Sequence, residues 1–244
     1  MMQDGEQTGR PSTAQAKPAL ARSKQRAVIE IAVAYFLILS VVWTQRPLQR
    51  LLWIVAAAGI AIIIWRSFEG WKPMGFTMAN LRRALWIVGA ALAAAAIALL
   101  IAARLHTLRL PPGGLLGFIA TYIAYAIWTG VQQFLMQGFF LLRLLRLMPR
   151  AAAALAAAGL FAAAHLPNPV LTPVTLVWGI AACLLFLRYR NIYPLMVAHA
   201  ILGITVAITV PGPVVHNMRV GLGYLTYSPY AHKYSHHMRQ LTQP

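Results

Sequence analysis

Residues 115–142 read LLGFIATYIAYAIWTGVQQFLMQGFFLL, a long run without a charged side chain. A membrane-spanning helix needs about 20 predominantly apolar residues, and this run exceeds that length. It does not alternate apolar and polar residues with a period of two, as the strands of a membrane β-barrel do. The run therefore predicts a helix that crosses a lipid bilayer and carries Gln132, Gln133 and Gln137 inside the membrane.

The rest of the chain extends this prediction outward. Of its 244 residues, 60% are hydrophobic and 10% are charged, whereas soluble domains are about half apolar and a quarter charged. Further apolar runs lie at about 27–45, 51–65, 84–104, 151–166, 171–188 and 192–211. We therefore predict an all-α, polytopic transmembrane helical bundle of about seven helices. The range is six to eight, because the runs at 51–65 and 151–166 are short.

The charged residues are strongly biased toward lysine and arginine, which outnumber the acids by 21 to 4 and give a net charge of +17. Such a charge can indicate a nucleic-acid partner, but here the basic residues lie between the apolar runs. In that position they orient membrane helices and contact anionic lipids. We predict that the partner is the lipid bilayer, with no nucleic acid, and that the N-terminus is cytoplasmic. This arrangement suits the inner (plasma) membrane of a bacterium.

The same patterns divide the chain into four segments. Residues 1–26 are polar and end in basic residues, which predicts a disordered basic cytoplasmic tail. An N-terminal transmembrane hairpin is predicted at 27–66 and a transmembrane core at 67–211. Residues 212–244, rich in histidine, tyrosine and proline, are predicted to be a solvated or interfacial tail. The single cysteine, Cys183, lies in an apolar run, so the chain has no disulfide.

Five polar side chains lie deep within the apolar runs, where a polar group without a partner costs free energy. They are Gln132, Gln133, Gln137, His165 and His199. At 1.5 Å per residue these positions fall at a similar depth on three helices. One interpretation is that they are hydrogen bonds that hold helices together, but their number and shared depth favour a common site. Glu30, the acid of the first run, is interpreted as a snorkelling end residue or the partner of a basic residue.

The same residues resemble the motifs of a known family, the CPBP family of CAAX proteases and bacteriocin-processing enzymes. The stretch from Gln132 to Gly138, QQFLMQG, has the frame of the family's first motif, Glu-Glu-x-x-x-Arg followed by Gly. Phe161-Ala-Ala-Ala-His165 matches the second motif, Phe-x-x-x-His. His199-Ala-Ile-Leu-Gly203 matches the histidine of the third, His-x-x-x-Asn. The resemblance covers about residues 70–210, with its core at 115–210, and makes 67–211 a CPBP-like core.

This resemblance implies an intramembrane endopeptidase whose glutamates and histidines activate a water, while the asparagine and a histidine steady the oxyanion. It assigns catalysis to His165, His199, Gln132 and Gln133, and the positioning of water or substrate to Gln137, Phe161 and Gly203. The implied substrate is a membrane-associated peptide or a prenylated protein. The sequence requires no cofactor; a divalent metal, if one is bound, would lie at His165 and His199.

The chain departs from the family motifs at four positions. Both glutamates are glutamine, the arginine is Gln137 and the asparagine is Gly203. Glutamine can hold a water but cannot accept a proton, and loss of a general base typically costs about 10²–10⁴ in rate.

Three functional hypotheses follow from these departures. In the first, a histidine, which titrates near neutrality, replaces glutamate as the base of an endopeptidase. In the second, a non-catalytic family member binds a membrane partner or a lipid-linked peptide in the same cavity. In the third, the histidines ligate haem or a metal, or line a transport path, although the chain lacks the internal repeat of many transporters.

Overall fold

The computed structural model describes residues 13–109 and 114–228, and within these ranges the chain is helical, without a β-strand. The α-helices are α1 Thr13–Val42, α2 Leu48–Arg66, α3 Leu81–Ala84, α4 Trp86–Arg104, α5 Gly114–Gln133, α6 Leu142–Leu144, α7 Arg150–Ala163, α8 Leu171–Tyr189, α9 Tyr193–Thr209, α10 Gly212–Val215 and α11 Gly221–Leu225. A π-helical segment, Phe134–Leu141, joins α5 to α6, and a 3₁₀ turn, His216–Met218, follows α10. The prediction of an all-α bundle is confirmed.

Four helices in the described part are long and apolar enough to cross a membrane. They are Ala21–Val42, Leu48–Arg66, Leu81–Arg104 and Leu171–Tyr189. Only 6% of the apolar window in Leu48–Arg66 is buried inside the protein, so most of its apolar surface is left for lipid. The chain is an integral membrane protein, because water would not accommodate so much exposed apolar surface.

Two further apolar helices, α7 and α9, are shorter. α7 has 14 residues, which gives a length of about 21 Å at 1.5 Å per residue. The hydrocarbon core of a bilayer is about 30 Å thick. α7 is therefore shorter than the hydrocarbon core is thick.

Helix packing places the polar residues at the centre of the bundle. α9 packs between α4 and α5, α7 packs along α8, and α1 forms a hairpin with α2. The contact between α7 and α8 is close because small residues face each other: a Cβ added at Gly179 would lie 3.0 Å from the Cβ of Ala158. Small residues at such contacts allow membrane helices to approach one another. The π-helical segment contacts both α7 and α8.

Glu30 lies in a buried ion-pair network that joins α1 to α6. Its carboxylate accepts a hydrogen bond from Nε of Arg143 at 2.7 Å and another from Nε of Arg26 at 2.8 Å. Arg143 also donates to the hydroxyl oxygen of Ser67 and to the carbonyl oxygen of Phe139. The interpretation of Glu30 as the partner of a basic residue is confirmed.

The two terminal segments differ from their predictions within the described residues. α1 begins at Thr13, so residues 13–26, predicted to be disordered, are helical. The reason is that alanine, glutamine, lysine and arginine, which are good helix formers, dominate this stretch. Residues 212–225, predicted to belong to a solvated tail, instead fold against the bundle, where the Val215 side chain is fully buried. Residues 1–12 and 229–244 of the predicted tails lie outside the described residues.

Candidate functional site

A cavity of about 660 Å³ lies between α1, α5, α8 and α9. Its wall includes four of the residues that the motifs single out: Gln132, His165, His199 and Gly203. The rest of the wall is mostly aliphatic and aromatic. Cavities of this volume are typical of small-molecule and peptide sites, in which a few polar groups orient a largely apolar ligand. The predicted convergence of glutamine and histidine side chains therefore holds for Gln132, His165 and His199.

His165 follows the last turn of α7, and its ring is held in one orientation. Nδ1 lies 2.7 Å from the carbonyl oxygen of Phe161, one turn earlier. A carbonyl oxygen only accepts hydrogen bonds, so Nδ1 carries the proton and donates it. In the neutral ring Nε2 is then the unprotonated nitrogen, which is the atom that a general base needs.

His199 lies on α9, and aromatic rings surround it. Its ring centre is 5.7 Å from that of Phe161 and 5.9 Å from that of Trp178. Nδ1 of His199 is buried and has no hydrogen-bond partner among the described residues. A buried nitrogen without a partner costs free energy. We expect such an atom to be satisfied by a bound water or ligand.

The Phe161 side chain connects the two histidines. Its ring lies edge-on to His165, at 4.8 Å between ring centres, and edge-on to His199. The same residue supplies the carbonyl that orients His165. Phe161 thus contacts both rings, and its role in positioning water or substrate stays a prediction.

The three glutamines have different surroundings. Gln132 lines the cavity. Gln133 is fully buried, and its Oε1 accepts a hydrogen bond of 3.3 Å from the indole of Trp178. Gln137 is also fully buried, and neither its amide nitrogen nor its oxygen has a partner in the described part of the chain. Of the pair assigned to catalysis, only Gln132 faces the same space as the histidines.

A π-helical segment begins directly after Gln133 and contains Gln137. Gln132 and Gln133 are the last residues of α5, and Gln137 lies inside the wider turn that follows. A π-helix bonds residue i to i+5, so the four-residue spacing that aligns side chains in an α-helix no longer applies. Single turns of this kind are frequent at functional sites.

Residues 212–225 and the loop after α7 close one end of the cavity. Met218 and Val220 line it together with Val170. Asn168, which is fully buried, donates from Nδ2 to the carbonyl oxygens of Val215 and Arg219, both at 3.0 Å. The Oδ1 atom of Asn168 accepts from the backbone N–H groups that begin α8. This amide therefore links the closing segment to the start of α8.

Two residues of the site were not singled out by sequence reasoning. Tyr125 lines the cavity from α5, and Trp178 lines it from α8. The spacing of Tyr125, Trp128 and Gln132 places all three on one face of α5, because residues three, four and seven apart share a helix face. That spacing is a usable signal for Tyr125. Trp178 carries no comparable signal, because its role depends on Gln133 of another helix.

The donor atoms at the site do not match a catalytic zinc centre. Such a centre takes three protein ligands and a water. The described residues contain no group of three or more histidine, cysteine, aspartate or glutamate side chains that could hold a metal ion. His165 and His199 supply two nitrogen donors, and no carboxylate in the described part lines the cavity. The chemistry proposed below therefore uses the side chains alone.

Comparison with known proteins agrees with the motifs. Residues 129–205 match the family described as Type II CAAX prenyl endopeptidase Rce1-like. No curated protein and no solved structure matches the chain. The matched segment contains Gln132, His165, His199 and Gly203, which all line one cavity. Residues 129–205 of this membrane protein are therefore similar to the CAAX protease-like proteins of the CPBP family.

Proposed function

We propose that this protein is an intramembrane endopeptidase of the CPBP type, with His165 as its general base. The observation that carries the proposal is the 2.7 Å hydrogen bond from Nδ1 of His165 to the carbonyl oxygen of Phe161. This bond leaves Nε2 as a proton acceptor on a ring that lines the same cavity as Gln132 and His199. A base in a fixed orientation beside a ligand-sized cavity is what hydrolysis of a bound peptide requires.

The reaction follows from the groups around the cavity. Nε2 of neutral His165 takes a proton from a water molecule while the water oxygen bonds to the peptide carbonyl carbon, and the carbonyl oxygen becomes an oxyanion. When the C–N bond breaks, the proton passes from His165 to the leaving nitrogen, and the ring returns to its neutral form. Gln132 holds the water by a hydrogen bond and takes up no proton.

The substrate class follows from the cavity wall and from the family. Most of the wall is apolar, with Val41, Ala94 and Leu202 among its residues. Such a wall suits a peptide that carries a lipid or a run of apolar side chains, since apolar surface leaves water favourably. The family match names prenyl endopeptidases. A membrane-associated peptide, prenylated or otherwise lipid-modified, is the proposed substrate.

A second function is favoured by a different observation. No carboxylate in the described residues lines the cavity, and Gln133, at the second motif position, is bonded to Trp178. A cavity that keeps its shape without an acidic base suits a non-catalytic family member, which would bind a membrane partner or a lipid-linked peptide.

The two functions are separated by cleavage of an S-farnesylated CAAX peptide by the protein in lipid nanodiscs. Under the first proposal the wild type cleaves, and His165→Ala lowers the rate by about 10²–10⁴, the usual contribution of a general base. His106→Ala is the matched control, because His106 is exposed in a loop and does not line the cavity. Its rate should equal that of the wild type.

Two outcomes of the cleavage assay would contradict the first proposal. If the wild type binds the peptide without cleaving it, and the paired change Gln132→Glu with Gln133→Glu creates activity, then the protein is a binder. Cleavage by the wild type that is unchanged in His165→Ala would instead remove His165 from the chemistry and leave the base to be sought elsewhere.

A further inference from the structure

Gly203 leaves a space on α9 that the side chain of Tyr125 occupies. A Cβ atom added at Gly203 would overlap the hydroxyl oxygen of Tyr125 and would lie 2.9 Å from its ring atoms Cε1 and Cζ. Real Cβ atoms essentially never approach other atoms so closely. The tyrosine hydroxyl therefore occupies the position that a side chain of residue 203 would otherwise fill.

Tyr125 lines the same cavity as the polar residues of the site. Gly203 is four residues after His199, so both lie on the same face of α9. Tyr125 is seven residues before Gln132, so both lie on the same face of α5. All four residues line the cavity. α5 and α9 thus bring the phenol to the wall that carries His199 and Gln132.

The chemistry of the hydroxyl suits a hydrogen bond to a ligand. A phenol hydroxyl can donate a hydrogen bond to a carbonyl oxygen or to an oxyanion. Within the described residues no hydrogen bond to the Tyr125 hydroxyl is found. Buried or half-buried tyrosine hydroxyls usually have a partner, so the partner here is expected to come from the bound molecule.

We propose that the Tyr125 hydroxyl donates a hydrogen bond to the carbonyl oxygen of the bound peptide and to the oxyanion that this oxygen becomes. Tyr125 thereby supplies, from α5, the donor that glycine at position 203 cannot supply from α9. The inference rests on the proposed function, since it needs a peptide beside His165 and His199. Donors placed for an oxyanion in a site that excludes water contribute about 10²–10³ each.

The test measures binding, so it does not depend on turnover. The probes are an S-farnesylated CAAX peptide and its phosphinic analogue, in which a tetrahedral, anionic phosphinate replaces the scissile amide. Tyr125→Phe removes the hydroxyl and keeps the ring. We expect it to weaken binding of the phosphinic analogue by about 10²-fold and to weaken binding of the amide peptide much less. Tyr193→Phe is the matched control, because Tyr193 is also a tyrosine of the α5–α9 region but does not line this cavity.

A second variant tests position rather than packing. Tyr125→Ala combined with Gly203→Asn removes the ring that would overlap a side chain at residue 203 and places an amide donor there. We expect this pair to bind the phosphinic analogue more tightly than Tyr125→Ala alone. If Tyr125 only filled space, an asparagine at residue 203 would not restore binding of the phosphinic analogue.

The outcomes separate this inference from the proposed function. If the wild type binds neither probe, the proposed function fails and the role of Tyr125 fails with it. If the wild type binds both probes and Tyr125→Phe binds them equally well, only the role of Tyr125 is overturned. Equal weakening of both probes together with a lower melting temperature would show that Tyr125 is structural, which also overturns the inference.

Discussion

Gly203 lies so close to Tyr125 that one added methyl group should destabilise the protein. Gly203→Ala forces the Tyr125 ring to move, and overpacking of this kind typically costs about 1–3 kcal/mol. The measurement is the free energy of unfolding in detergent. Gly159→Ala is the control, because no atom lies within 4 Å of a Cβ added there. Gly159→Ala should stabilise α7 by about 0.5–1 kcal/mol, and destabilisation by both variants would contradict the predicted contact.

Arg143 is expected to contribute to stability through Glu30. Only 3% of the Arg143 side chain is exposed, so Arg143→Ala leaves the Glu30 carboxylate with the exposed Arg26 alone. Removing one member of a buried pair typically costs about 3–5 kcal/mol, whereas replacing both members with apolar residues is often neutral. Arg143→Ala should therefore lower the free energy of unfolding more than Glu30→Met combined with Arg143→Met. Equal losses would indicate that the Glu30–Arg143 pair does not carry the effect.

At the scale of single residues, the sequence predicts part of the site. The depth of Gln132, His165 and His199 along their helices is set by chain length, so their convergence could be predicted. Which of Gln132 and Gln133 faces the cavity could not be predicted, because it depends on how α5 is rotated against its neighbouring helices, and the stretch QQFLMQG does not reveal that rotation. Tyr125 was missed because its position matters only where residue 203 lacks a side chain, and the two lie on different helices.

At the scale of elements, the side-chain amide of Asn168 donates two hydrogen bonds to the segment 212–225. Asn168→Asp keeps an oxygen that accepts the N–H groups of Val170 and Leu171, but it loses both hydrogens donated to Val215 and Arg219. The carboxylate would also repel those two carbonyl oxygens. We expect faster amide hydrogen exchange throughout 212–225, measured by mass spectrometry, while the first turn of α8 stays protected.

The backbone amide of Gly221 is the most informative one in that exchange experiment, because it donates a hydrogen bond of 2.7 Å to the carbonyl oxygen of Leu166. Unchanged exchange at this amide in Asn168→Asp would show that the segment is held by its apolar contacts instead. Ser40→Ala serves as a control, since the Ser40 hydroxyl bonds only within α1, to the carbonyl of Phe36.

The longer an apolar run is, the more readily the sequence predicted its helix. The long runs became helices because a backbone in lipid must satisfy its own hydrogen bonds. Residues 212–225 contain glycine and proline and only short runs of apolar residues. Such a local pattern is typical of a terminal tail without regular structure. These residues pack through contacts with residues distant in sequence, among them the hydrogen bond from Asn168 to Val215, and contacts of that kind have no local signature.

At the scale of the whole molecule, the proposed orientation can be tested with single cysteines. Native Cys183 is fully buried, so it provides a silent background for a membrane-impermeant maleimide. Because basic residues favour the inner side, we expect Asn217→Cys to be labelled in intact bacterial cells and Arg22→Cys to be labelled only in inverted membrane vesicles. Both residues are exposed in the structure. The opposite pattern would reverse the orientation and place the segment 212–225 on the cytoplasmic side.

The ion pairs of Glu30 also bear on the order in which the chain is made. Glu30 reaches the membrane with the first helix, whereas Arg143 is synthesised 113 residues later. Arg26 lies four residues before Glu30 on the same helix and pairs with it at 2.8 Å. During biosynthesis, therefore, the acid enters the bilayer with a cation already beside it. The buried partner is added only when the helix that carries Arg143 has been inserted, so the network is complete only after both helices are in place.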